Sequence, residues 1–280
     1  MSSLATSLYH DIARAGFKQP DAYERSRPVY PSESVEMIFK LMQVSSENNF
    51  DKIKCLDLGA GTGKFTRLLL PFFSESSQES APIVAIEPSE EMVNQFRAVI
   101  PDWVPVHVGT ATNIEFPDHT FDVVIAAQAF HWFANIESLR EIHRVLKPNG
   151  TLVLTWNLED DRMEWVRKLR DTFEAYDTNV PQYHKMLWKS VFHLDEATKL
   201  FGELNYTTFD WEEASHTTLL LERILSISYV TRLDEPSRQT LRQNLLSLLV
   251  DTFGKTADDP TFEFTLPFVN HFYWCNKLTL

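Results

Sequence analysis

Cysteine is nearly missing from this chain: its 280 residues carry two, Cys55 and Cys275. Both lie in apolar, strand-like runs, with no C-x-x-C pair and no Cys/His spacing around them. That excludes a disulfide framework or a zinc module, and no other metal set is expected. Two buried thiols in a reducing compartment is the reading that fits. Long basic runs are missing too, and the formal net charge is −13. The electrostatic footprint of a nucleic-acid binder is therefore absent, and an acidic membrane surface would repel the chain. No apolar run approaches the ~20 residues needed to span a bilayer. Met1 to Phe17 mixes Tyr9, His10, Asp11 and Arg14 into its apolar residues, so it lacks the core of a signal peptide. There is no internal repeat. A cytoplasmic monomer with neither nucleic-acid nor membrane partner is the expectation, and 44% hydrophobic residues suffice for a sizeable core.

What the chain does have is one organising stretch, Ile53-Lys54-Cys55-Leu56-Asp57-Leu58-Gly59-Ala60-Gly61-Thr62-Gly63-Lys64-Phe65-Thr66. Apolar residues run up to an acid, three glycines follow at alternate positions, and a helix-like pattern begins at once. This order reads as a buried strand, a turn that bares its backbone, and a helix starting under a ligand. A dinucleotide fingerprint would need its third glycine at position 64, where Lys64 stands. A P-loop would need Ser or Thr after Gly63-Lys64, where Phe65 stands.

Around that stretch, Ile83 to Ile86, Val104 to Val108, Phe121 to Ala127 and Thr151 to Trp156 read as further strands. Helical periodicity separates them: Ser32 is placed to cap a helix through Val35, Ile38, Leu41 and Met42, and Pro88-Ser89 opens one whose first turn holds Glu90 and Glu91. A third helix runs through Leu139, Ile142 and Val145, and Lys147-Pro148-Asn149-Gly150 reads as a turn. Buried strands alternating with helices predict an α/β fold, a Rossmann-like parallel sheet with helices on both faces. Ligands of such sheets bind at the carboxyl ends of the strands, where Gly59, Glu87, Thr110 and Gln128 all fall. In the second half, Met163 to Tyr176 and Leu241 to Leu249 have helical spacing, the latter stopping at Gly254. Tyr206 to Trp211 and Phe268 to Cys275 read as the last strands, with helical insertions before and between them.

The D-x-G-x-G-x-G spacing resembles motif I of the class I S-adenosylmethionine-dependent methyltransferases. Glu87 at the end of the second strand, the Gly109 turn, the Phe121 to Phe133 run and Leu146-Lys147-Pro148-Asn149-Gly150 follow in the family's order, so the resemblance covers about residues 20 to 157. It implies an antiparallel last strand and a division into an N-terminal lid over 1–31, a cofactor-binding core over 32–157, and cap helices with the last strands over 158–280. It also implies S-adenosylmethionine as cofactor. Backbone at Gly59, Ala60, Gly61 and Gly63 would pass the methionine portion and ribose, with Asp57 orienting the turn. The Glu87 carboxylate can accept from both ribose hydroxyls. Pro88, Ser89 and Met92 would wall the adenine, although Met92 also fits ordinary helix core. Thr110 stands where many relatives have Asp, which shifts adenine recognition toward Ala111 and backbone. Gln128 completes the set. Tyr23 and Arg27, in Tyr23…Arg27-Pro28…Tyr30-Pro31, resemble a lid over the methionine end; a solvated arginine beside a packed proline fits Arg27 equally well.

For the acceptor, the run Gln128-Ala129-Phe130-His131-Trp132-Phe133 follows the fourth strand. His131 is the candidate general base, against the favoured alternative of a histidine wedged among aromatics. In-line methyl transfer chiefly requires alignment, so no base need exist. Phe130, His131, Trp132, Trp156, Phe173 and Trp188 are the candidate substrate contacts, and aromatic content points to a closed small-molecule pocket. His184 and His193 are secondary base candidates. At this level the chain resembles the small-molecule branch that includes trans-aconitate, cantharidin-type and gliotoxin thiol methyltransferases. Few arginines are available to clamp a multiply charged acid, which favours S-methylation of an apolar (di)thiol secondary metabolite, a detoxification chemistry, over carboxyl O-methylation. An Asn/Asp-Pro-Pro-Tyr type motif, expected of macromolecular methylation, is absent. A non-catalytic binding module is disfavoured by the intact glycines and Glu87.

Overall fold

A computed structural model describes residues 24, 26–42, 53–73, 75, 81–177 and 180–279. In chain order the strands are β1 (Cys55–Leu58), β2 (Ile83–Glu87), β3 (Val106–Val108), β4 (Phe121–Ala127), β5 (Leu146–Glu159), β6 (Asn205–His216) and β7 (Glu263–Asn276). They form one sheet in the order β3-β2-β1-β4-β5-β7-β6. β1 to β5 pair in parallel, and β7 runs antiparallel to both β5 and β6. The helices are α1 (Ser32–Leu41), α2 (Lys64–Leu69), α3 (Glu90–Val99), α4 (Ile136–Val145), α5 (Glu164–Glu174), α6 (Ala197–Leu200), α7 (Thr217–Leu225) and α8 (Glu235–Phe253).

The apolar runs explain the central strands. All four residues of β1 and all five of β2 are buried, as expected where helices cover both faces of a parallel sheet. One core cluster joins Leu56, Val84, Val124, Leu152 and Leu139 on one face; a second joins Cys55, Ile83, Val123, Phe65 and Phe96 on the other. Each such side chain contributes roughly 1.5–3 kcal/mol by leaving water. A third cluster, under α5, α7 and α8, gathers Leu169, Leu220, Leu241 and Phe268. The last two strands thus carry a helical subassembly of their own on the antiparallel edge.

Three local expectations are corrected. Ser32 is not the helix cap: Pro31 is, Ser32 already lies in the helix, and its hydroxyl donates to Glu33. The Lys147-Pro148-Asn149-Gly150 segment does not stand outside β5 but is drawn into its start. A register shift in the β4–β5 pairing and Asn149 at φ 63 absorb the irregularity. β6 and β7 are both longer than anticipated, because Glu212 to His216 pairs with Glu263 to Pro267 despite a polar sequence. Pairing with a long partner overrides weak local propensity there.

A buried polar network fixes α1 against the sheet. The Ser34 hydroxyl donates to Asn270 Oδ1 (2.8 Å), and Asn270 Nδ2 donates to Asn157 Oδ1 (2.7 Å) and to the Thr155 hydroxyl (2.9 Å). Asn157 Nδ2 in turn holds the Val29 carbonyl (2.7 Å). Because every partner is satisfied, the network sets one geometry where N-terminal segment, β5 and β7 meet. Among the described residues no helix is long and apolar enough to cross a membrane.

Candidate active site

The cleft opens at the carboxyl ends of β1, β2 and β4. Immediately after β1 the chain reverses through Gly59, Gly61 and Gly63, all at positive φ. Gly59 is required twice over: φ is 76°, and a Cβ there would sit 2.7 Å from Ala129 Cβ. Gly63, at φ 84°, packs against Phe96 and Ile100 just before α2. The amides of Gly59 and Ala60 both donate to the Ile86 carbonyl, at 2.8 and 3.1 Å, so the loop is pinned to the end of β2.

Two buried carboxylates sit beneath this loop. Asp57 Oδ2 accepts from the Thr66 hydroxyl at 2.5 Å, tying β1 to α2, and burial pushes its pKa up to about 6. Its Oδ1 is buried, has no hydrogen-bond partner among the described residues, and belongs to a residue that lines the cleft. Glu87, at the tip of β2, accepts from Gly61 N at 2.9 Å through Oε2 and from Ser89 N at 3.0 Å through Oε1. Burial raises its pKa to about 7; these two amides pull the other way, and the Asp57 charge adds to the rise. A carboxylate offers about four lone-pair positions. With two taken by backbone, two remain for a vicinal diol.

The remaining anticipated cofactor residues fall around this pair. Pro88, Ser89 and Met92 line the cleft, with the Ser89 hydroxyl spent on capping α3, where it accepts from Met92 N. Thr110 and Ala111 also line it, the Thr110 hydroxyl lying 3.2 Å from that of Thr112. Gln128 takes a left-handed conformation, φ 55°, directly after β4, with Nε2 donating to the Asn157 carbonyl at 2.8 Å. A non-glycine residue held there is strained backbone at the mouth of the site. Arg27 lines the cleft and donates from Nη2 to the Ser226 carbonyl, 3.3 Å away. Tyr23 lies outside the described residues.

The acceptor candidates divide. His131 and Trp132 line the cleft, from a 3-10 turn over Phe130–Trp132. Phe130, Trp156, Phe173 and Trp188 do not: all four are buried in the core. Trp156 packs against both Tyr183 and Trp188, ring centroids 4.7 and 4.6 Å away, and Phe130 packs edge-on against Phe133 and Trp188. Phe173 belongs to the cluster beneath α5 and α7. Of the secondary bases, His184 pairs with Asp177 at 3.1 Å, and neither it nor His193 reaches the cleft wall.

Several residues on or behind the cleft wall carry no strong sequence signal of their own. Glu24 accepts from the Thr62 hydroxyl (2.5 Å) and from Arg67 (2.8 Å) and lies 3.9 Å from Lys64, clamping the N-terminal segment to the glycine loop. Tyr30 packs edge-on against Phe65, centroids 5.0 Å apart. Gln182 donates to the Ser228 hydroxyl at 3.2 Å, closing the far side beside Ile227. The only hint to any of these is the Tyr-Arg-Pro-Tyr composition of residues 23 to 31.

Residues 56–154 match the family described as a methyltransferase domain. An uncharacterized methyltransferase-like protein of Schizosaccharomyces pombe is 32% identical over 223 residues, covering 80% of this chain and 81% of that protein. An uncharacterized methyltransferase of Mycobacterium bovis is 39% identical over 148 residues, and there the chain spans about half of its relative, 54%. Among solved structures, a putative type II methyltransferase from Anaeromyxobacter dehalogenans superposes with a TM-score of 0.56 at 21% identity, over 89% of this chain and 97% of that one.

Proposed function

This chain belongs to the class I S-adenosylmethionine-dependent methyltransferases, and from that premise we propose that it methylates an apolar small molecule bearing a thiol, with S-methylation of a dithiol metabolite such as gliotoxin as the leading case. The cleft fits the cofactor in three respects. Glu87 is held by two amides with acceptor capacity left for a ribose diol, Asp57 keeps one buried oxygen without a partner, and the glycine turn leaves backbone bare. Arg27 and Lys64, on the described wall beside the loop, supply positive charge for the methionine carboxylate. Pro88, Met92 and Ala111 supply the flat apolar surface an adenine needs.

Glu87, Asp57 and the glycine turn would hold S-adenosylmethionine, which when bound would supply an electrophilic methyl group to the acceptor's lone pair, its sulfur keeping the bonding electrons. The chain's own part is alignment and exclusion of water. In this reading residues 1–31 act as the lid, 32–157 hold the cofactor, and 158–280 cover the acceptor through Gln182, Ile227 and Ser228.

The observation that carries the thiol reading is the character of the acceptor wall. His131, Trp132, Phe133, Gln182, Ile227 and Ser228 bring no formal charge at neutral pH, His131 being held neutral by burial, and no paired arginines that could clamp a polyacid. Carboxyl O-methylation is the second reading, favoured by the nearness of Arg27 and Lys64. Transfer of labelled methyl from S-adenosylmethionine to matched dithiols, carboxylic acids and phenols tests it. Thiols are expected to lead; strong carboxylate turnover with inert thiols would overturn the choice.

A further inference from the structure

His131 is the one histidine on the described cleft wall, and the partner of one of its nitrogens is known. Trp156, anchored in β5 and buried in the core, donates its indole N–H to His131 Nδ1 at 3.0 Å. An indole nitrogen can only donate, so Nδ1 must carry the lone pair. A neutral imidazole has one N–H, and it then resides on Nε2. Among the described residues Nε2 has no hydrogen-bond partner, and it is not a buried orphan either. The donor nitrogen is therefore left to the cleft that His131 lines.

We propose that Trp156 locks His131 as an Nε2–H donor, making it an acceptor-positioning residue and not a base, so that this enzyme takes acceptors which arrive already ionised. The proposal rests on the methyltransferase reading above and narrows its substrate class to thiolates and carboxylates. With an anionic acceptor, methyl transfer cancels the acceptor's negative charge against the sulfonium's positive charge, and no proton has to be placed. An alcohol or phenol would have to give up a proton, and the wall has nowhere to send it. Asp57 and Glu87 lie at the donor end, where their remaining oxygens are assigned to the cofactor, and Arg27 and Lys64 are cations. The packing around the imidazole agrees. Trp132 and Trp156 rings flank it, at 5.3 and 6.3 Å between centroids, and burial pushes its pKa down to about 3. The charge that bears on it is that of His184, itself facing Asp177 and Glu174. A protonated His131 would also set two N–H groups against each other at the Trp156 contact.

The lock can be read without any acceptor in hand. Long-range 1H–15N correlation spectra of histidine-labelled full-length protein, with S-adenosylhomocysteine added, report tautomer and charge for each imidazole, His131 being assigned from His131→Gln. The expected spectrum is an Nε2–H tautomer that does not titrate between about pH 5.5 and 8.5. An Nδ1–H tautomer, or a midpoint between about pH 6 and 7, would overturn the proposal. Trp156→Phe should release the ring into a tautomer mixture; if that variant fails to fold, the wild-type spectrum decides alone. In methyl transfer to a matched aryl thiol and phenol, His131→Phe should raise the thiol KM about tenfold, with His131→Gln recovering most of the loss because it keeps a donor. Phenol turnover equal to thiol turnover at neutral pH would contradict the acceptor class. Absence of S-adenosylhomocysteine binding would instead sink the methyltransferase reading, and would leave the tautomer result standing.

Discussion

The donor end and the acceptor end of the cleft are made from different material. At the donor end the contacts are backbone amides and buried carboxylates drawn from a short span, Asp57 to Ala111. The loop amides and the Glu87 carboxylate position each other before any ligand arrives. At the acceptor end the wall is built of side chains from remote segments, from His131 and Trp132 to Gln182 and Ser228. His131 is anchored there by the buried Trp156. The first arrangement tolerates little change in sequence, while the second can be refilled without disturbing the fold. That asymmetry is how one fold can keep a donor and exchange acceptors.

Substitutions should expose the asymmetry in order of size. Gly59→Ala, at the donor end, sets a Cβ 2.7 Å from Ala129 Cβ at positive φ, and should cost roughly 2–5 kcal/mol in chemical denaturation. A loss under about 0.5 kcal/mol would show the loop to be as pliant as the far wall. Glu24→Ala should follow. It removes acceptors from Thr62 and Arg67, and should weaken S-adenosylhomocysteine binding by roughly fivefold, near 1 kcal/mol, in isothermal titration. Ser228→Ala removes one neutral, part-buried hydrogen bond at the acceptor end, so thermal stability should change by less than about 1 kcal/mol and cofactor affinity by less than about threefold.

A pH series probes the same comparison. Asp57 and Glu87 both have raised pKa values in the folded chain, near 6 and 7, from ordinary values of 3.8 and 4.5. The folded state then holds more protons than the unfolded one through that window. The stability these groups contribute is fully present below about pH 4 and is lost as pH rises through their folded values. A ribose diol donating to Glu87 favours the ionised form. The rise in melting temperature caused by S-adenosylhomocysteine should therefore grow from pH 5.5 to about 7 and level off above. A ligand-induced rise independent of pH would detach Glu87 from the cofactor.

The same contrast governs what the sequence revealed. The Asp57 to Thr66 stretch, Glu87, Gln128 and the parallel strands were legible because one local pattern specifies strand, turn and helix together. Phe130, Trp156, Phe173 and Trp188 were placed at the acceptor because aromatic residues look alike whether they wall a pocket or fill a core. Trp156 packs in the core against Tyr183 and Trp188, and it touches the cleft wall through its bond to His131. Gln182 and Ser228 carried no local signal, because their role exists only once β7 has brought the helical subassembly against the strand ends. Glu24 was hidden for a related reason: its partners Thr62 and Arg67 meet it only after the N-terminal segment folds back.

Titration of S-adenosylhomocysteine into wild type and Glu87→Ala tests the account of the donor end most directly. Wild type should bind, and the variant, remaining folded, should lose at least about tenfold in affinity, the weight of a hydrogen-bonded carboxylate. Equal affinity in the two proteins, or no binding to wild type, would contradict it.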